Sequence, residues 1–231
     1  MKKIIFPLMI LAGMAACSKS GSTGNSGNSG NSGNNGSGNN TNTALFPLAQ
    51  GNVWNYRLKT YNPSTGALLD SSNFSLTING AATANGNTYY KLISSLDNSS
   101  LWLANLSATT LGSIDSVGGV SYYTSFATGT GDSTASASSW PVTVSSSCTG
   151  TAKLYGYYSD TTLINLDGTT YTGSIKNVVV IYDCSADKVL AQVYFVKPGV
   201  GLVRFVQYIY SSEGKLEMQL AWVLESSTLV S

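Results

Sequence analysis

From residue 44 onward, apolar and polar side chains alternate along the chain with a period of two. In G-K-L-E-M-Q-L-A-W-V-L-E, Leu216, Met218, Leu220, Trp222 and Leu224 alternate with Lys215, Glu217, Gln219 and Ala221. That spacing predicts a strand with one buried face. Trp54, Tyr56 and Leu58 oppose Asn55, Arg57 and Lys59 in the same way, and Phe74, Leu76 and Ile78 oppose Ser75 and Thr77. Further strands are predicted over 89–94, 101–106, 120–126, 141–145, 153–158, 178–182, 189–196 and 202–210. Only 99–111 leaves room for one short helix. Asn79-Gly80, Asn85-Gly86, Asp167-Gly168 and Glu213-Gly214 fall between apolar runs, where residues that accept positive φ make tight turns. The expectation is all-β: an antiparallel meander forming a curled sheet, half-barrel or small barrel, with a β-sandwich as the alternative.

The first 43 residues follow a different rule. Lys2 and Lys3 precede an apolar run from Ile4 to Gly13, too short to span a bilayer. Ala15 and Ala16 then lead into Cys17. This order resembles the lipobox of bacterial lipoproteins, with Met14 where leucine is usual. The resemblance implies a signal peptide over 1–16 and a lipidated Cys17 carrying a diacylglyceryl thioether and an N-acyl chain such as palmitate. Several acyl chains anchor far more firmly than one, each buried methylene contributing about 0.8 kcal/mol. Residues 18–43 are Gly, Ser, Asn, Thr and one Lys, with no apolar side chain. Such a segment cannot bury surface to offset its ordering entropy, so it is expected to be a leash of about 30 Å. Residues 44–231 are then expected to form a single β-rich domain.

Charge removes some function classes. Without Lys2 and Lys3 the 12 basic residues become 10 against 11 acids, leaving a nearly neutral chain. A nucleic-acid partner is therefore not expected, because binding phosphates needs a basic excess. Alternating aromatic strands also describe transmembrane barrels. A lipid anchor with a leash would be redundant on one, and Arg57, Lys59 and Glu217 occupy non-core positions.

The chain has no histidine. That excludes the Ser–His–acid triad, the Cys–His pair and histidine zinc sites together. Besides Cys17 there are two cysteines, Cys148 and Cys184. In an exported chain such a pair is expected to bridge, the alternative being two separate buried thiols. Paired carboxylates are the remaining catalytic option, with Asp183 and Asp187 the nearest in sequence, yet a turn accounts for both. No metal, cofactor or enzymatic activity is expected. Asp115-Ser116, Asp132-Ser133 and Asp160-Thr161 resemble acceptor sites of some bacterial O-glycosylation systems, a pattern that chance also produces where Ser and Thr are this common.

Two stretches bracket the domain: L-F-P-L-A-Q-G-N-V-W-N-Y from Leu45, and Y-F-V-K-P-G-V-G-L-V-R-F from Tyr194. They resemble the P-L-x-x-G-N-x-W-x-Y and G-V-G-x-V motifs of a group of bacterial lipoproteins, and the likeness implies a secreted β-rich domain with no assigned catalytic residues. K-P-G-V-G itself is followed by strand pattern rather than a helix, so it reads as a corner and not a phosphate cradle. Pro198-Gly199 suits a type II turn, and Gly201 suits a bulge. The adjacent tyrosines 89-90, 122-123 and 157-158 each put one ring outside the core if they lie in strands.

The reading is a lipid-anchored envelope protein whose domain binds something or is structural. The alternatives are a carrier of a lipid or other apolar ligand and a glycan-binding module. Ser18 after the cysteine implies outer-membrane sorting, and the lack of any acid before Asp70 points to the periplasmic face.

Overall fold

The computed structural model describes residues 44–84, 86–106, 110–114, 121–125, 138–159, 163–164 and 168–230. The signal segment, Cys17, the leash, Asp115, Asp132, Asp160 and Asp167 lie outside the described residues. The N-terminal half contributes β1 (Val53–Tyr61), β2 (Leu68–Ala84), β3 (Asn87–Ser94), β4 (Ser100–Asn105), β5 (Thr110–Ile114) and β6 (Ser121–Ser125). The C-terminal half contributes β7 (Ser138–Ser145), β8 (Cys148–Ser159), β9 (Leu163–Ile164), β10 (Thr170–Tyr171), β11 (Ser174–Tyr182), β12 (Lys188–Lys197), β13 (Gly201–Tyr210) and β14 (Leu216–Thr228). The all-β expectation holds. Where a helix was allowed over 99–111, the described residues instead contribute β4 (100–105) and the start of β5 (110–111).

Twelve strands make one antiparallel sheet in the order β6-β5-β4-β3-β2-β1-β14-β13-β12-β11-β8-β7, and β9 with β10 makes a small hairpin beside it. The first and last strands pair at the centre, Trp54 facing Ser227 and Leu58 facing Trp222. The chain meanders from the centre to one edge, passes to the other, and meanders back. That route requires curvature. Twelve strands laid flat, at about 4.8 Å spacing, separate β6 from β7 by about 53 Å. The thirteen residue steps from Ser125 to Ser138 reach about 45 Å at full extension. The sheet curls but does not close: no pairing joins β6 to β7 among the described residues. It is neither a closed barrel nor the alternative sandwich.

One core lines the inner face and runs from Leu103 and Leu111 through Phe74, Tyr56, Trp222 and Phe205 to Leu154. A smaller cluster of Tyr89, Ala104 and Ile114 lies on the opposite side of β3–β5. Turn chemistry follows the sequence in most places. Gly86 (φ +76°) and Gly214 (φ +74°) sit in the β2–β3 and β13–β14 hairpins. Asn79-Gly80 differs: it is a bulge inside β2, where Ile78 faces Leu92 and Ala81 faces Tyr90, leaving two residues against one. Gly80 still has φ +110°, so the glycine serves a bulge instead of a reversal.

Candidate functional site

K-P-G-V-G is where the two ends of the domain meet. The Val200 N–H donates to the Lys197 carbonyl at 2.9 Å, and Gly199 sits at φ +80°, the type II turn the sequence predicts. Gly201 has φ +97°, and a Cβ on it would lie 3.0 Å from the Phe46 ring and 3.3 Å from the Trp54 indole nitrogen. The register shift falls slightly beyond, where Phe195 faces Arg204 and Val196 faces Leu202, so Val203 and not Gly201 is the extra residue.

The N-terminal motif closes over this corner. The Gly199 N–H donates to the Ala44 carbonyl (2.8 Å), the Trp54 indole N–H to the Val200 carbonyl (2.6 Å) and the Tyr56 hydroxyl to the Leu202 carbonyl (2.7 Å). Asn52, fully buried, donates from its amide to the Pro47 carbonyl and accepts the Val230 N–H at 2.6 Å. The buried side-chain polar groups of Asn52, Trp54 and Tyr56 are thus bonded to the chain itself, so the pair is a clasp. Gly199→Val forces a β-branched residue to positive φ and is expected to destabilise by about 1–3 kcal/mol; a thermal melt superimposable on wild type would contradict this.

Above the clasp, an aromatic row crosses the inner face in register: Trp222 faces Phe205, Phe205 faces Tyr194, and Tyr194 faces Asn177. Phe205 lies 5.2 Å from Trp222 and 4.9 Å from Tyr194 between ring centroids. Tyr56, Phe74 and Trp222 extend the contact across β1 and β2. Beside this row runs a polar ladder. The Tyr194 hydroxyl donates to Gln192 (3.0 Å), Gln192 to Gln207 (2.9 Å), and Gln207 to Gln219 (2.7 Å). Burial pushes the Tyr56 and Tyr194 phenols far above their ordinary values, so both are neutral donors and neither is a base. Asn177 is 2% exposed, and neither amide atom has a partner. Position 156, its neighbour on β8, is glycine. An unpartnered buried amide costs about 1–3 kcal/mol.

The opposite, outer face of β8 and β11–β14 has another character. Val178, Val193, Val206 and Ala221 form one cross-strand row, and Val180 and Ala191 begin the next. Along one side stand Tyr155, Tyr182, Tyr208 and Tyr210, half-buried. The Tyr155 and Tyr182 hydroxyls are 3.5 Å apart, Lys153 Nζ lies 4.8 Å over the Tyr182 ring and Lys188 Nζ 5.9 Å over Tyr210. The Tyr182 hydroxyl, with some burial, holds the Tyr155 phenol above its ordinary value, and burial does the same for Tyr210. Along the other side lie Phe195, with Lys176 Nζ 5.9 Å over its ring, and Arg204 facing it across the strands. Arg57 and Lys59 close the β1 end, Arg57 bonded to Glu225 at 2.7 Å.

The charges are therefore sorted by face. Of the nine Lys and Arg among the described residues, Arg57, Lys59, Lys153, Lys176, Lys188 and Arg204 alternate with core positions and share this face. Glu225 is the one acid there among the described residues; Asp97, Asp183, Asp187 and Glu213 are in turns.

The residues marked in the sequence fall as follows. Cys148 and Cys184 are bonded, with Cα atoms 5.5 Å apart. Asp183 accepts the N–H groups of Ser185 (2.8 Å) and Asp187 (3.0 Å), a turn in which the two acids do not act as a pair. Of the tyrosine pairs, Tyr89 is fully buried in the smaller cluster and Tyr90 packs on the main core, so neither ring is presented outward as expected. The side chains at 122-123 and 157-158 lie outside the described set. The outward tyrosines are single ones, and their signal was their opposite parity to Leu154, Ile181 and Ile209.

No protein-family model and no curated protein matches the chain. Among solved structures it is similar to a Parabacteroides distasonis protein provisionally described as a lipoprotein, at 14% identity and TM-score 0.47, covering 80% of this chain and 99% of that one. It is also similar to a Bacteroides fragilis protein provisionally described as exported, with a YmcC-like fold, at 11% identity and TM-score 0.48 over the same shares. Likeness this distant carries no argument about function.

Proposed function

We propose that the chain is a non-enzymatic lipoprotein of the bacterial outer membrane, held by acyl chains on Cys17 at the periplasmic face. Its domain acts as a tethered binding module through the outer face of β8 and β11–β14. The observation that supports this is the sorting of charge: among the described residues, six of nine cations and one carboxylate share a single sheet face. Self-repulsion among like charges has no benefit to folding, and a partner of opposite charge would offset it. The inner face offers less support for the carrier reading, because Trp54, Tyr56, Trp222 and Phe205 fill it with the protein's own rings. Cys17→Ala is expected to move the protein from the membrane fraction to the soluble fraction and to abolish globomycin-sensitive processing. An unchanged membrane fraction would remove the anchor from the proposal.

A further inference from the structure

We infer that the outer face binds an acidic polysaccharide, an inference that rests on the proposed binding face and names its ligand class. Three features converge. The floor is built of small side chains: Ala191, Val206 and Ala221 are each 2% exposed although they lie on the outside of the sheet. Its width across β11–β14 is about 14 Å at ordinary strand spacing, enough for an extended chain lying across the strands. One wall carries the phenol rings of Tyr155, Tyr182, Tyr208 and Tyr210, which offer flat apolar faces to the C–H side of a pyranose and hydroxyls to its oxygens. Both walls carry cations held close to aromatic rings, Lys153 and Lys188 on one side and Lys176 on the other. Rings beside ammonium groups suit a ligand that is planar-faced and anionic at once, as a uronic-acid polymer is.

A lipid surface fits less well. Membrane docking buries protruding apolar side chains, whereas the apolar part of this face is recessed between rings and lysines. Leu216, 53% exposed, stands at its rim and not at its centre. Neutral glycans would use the rings and draw no attraction from Lys153 and Lys188. Because the attraction is between exposed charges, binding weakens as salt rises.

The test uses the full-length lipoprotein in detergent micelles, titrated with polygalacturonate oligosaccharides, neutral dextran oligosaccharides, and vesicles of phosphatidylglycerol. The expected result is saturable binding of polygalacturonate that falls at least tenfold in Lys153→Gln/Lys188→Gln and in Tyr182→Ala. Lys91→Gln/Lys215→Gln, which leaves this face untouched, should bind as wild type. Circular dichroism and a melt show whether each variant is folded. Should Tyr182→Ala not fold, the lysine variant alone decides. Binding to vesicles but not to polygalacturonate overturns the glycan assignment and leaves a basic docking face. Equal loss in the Lys91/Lys215 control overturns the assignment to this face. Binding to none of the three overturns both the ligand class and the binding reading.

Discussion

Trp54→Ala is expected to lower the unfolding free energy by about 3–5 kcal/mol, the range for truncating a large buried aromatic side chain. The indole is 1% exposed and sits between the Gly201 corner and the core, so its removal opens a void that β1 and the Lys197–Gly201 turn cannot both fill. It also strips the Val200 carbonyl of its 2.6 Å donor, and a buried acceptor left bare adds to the loss. Trp54→Phe separates the two effects, since it keeps most of the volume and loses the N–H; it should cost about 1–3 kcal/mol. Urea denaturation followed by circular dichroism measures both, and an alanine variant within about 1 kcal/mol of wild type would show that the clasp does not hold the termini. The loss should be global, because β1 and β14 are the central strands on which both meanders are built.

Reduction of Cys148–Cys184 is the second large effect. The bond closes a sequence separation of 36, which in the chain-entropy model corresponds to about 3–4 kcal/mol. It ties the start of β8, next to the sheet edge, to the turn after β11. Cys148→Ala and Cys184→Ala should therefore lose the same amount, and the double variant no more than either single one, since both remove one cross-link. Gly150 belongs to the same feature: a Cβ there would lie 2.0 Å from the Tyr182 carbonyl oxygen, so only glycine lets β8 pass that close. Alkylation with intact mass measurement checks the bond itself; two labelled thiols in unreduced protein would refute it.

Strand positions, hairpin glycines and the disulfide were legible because each rests on local signals. A period of two appears in any half-buried strand, and positive φ restricts which residue a turn accepts. The type II corner at Pro198-Gly199 and the buried Trp54 and Tyr56 needed no knowledge of their partners. The candidate binding face was not legible in the same way. Bulges at Val189, opposite the step from Ile181 to Tyr182, and at Gln219, opposite the step from Gln207 to Tyr208, reverse the facing of every residue beyond them. Gln219, placed by its period on the solvent side, joins the inner ladder, while Leu216, placed in the core, stands exposed at the outer rim.

By itself, the sequence determined an all-β domain behind an expected lipid anchor and leash, with no histidine chemistry available to it. Tertiary structure alone decided that β1 and β14 pair at the centre of the sheet and that the sheet curls without closing. It also decided that six of the nine described cations share one face. The reason is physical. Burial along a strand is written every second residue, but strand partners are chosen by contacts between residues far apart in the chain. A single inserted residue in one strand then changes which side of the sheet all its successors occupy.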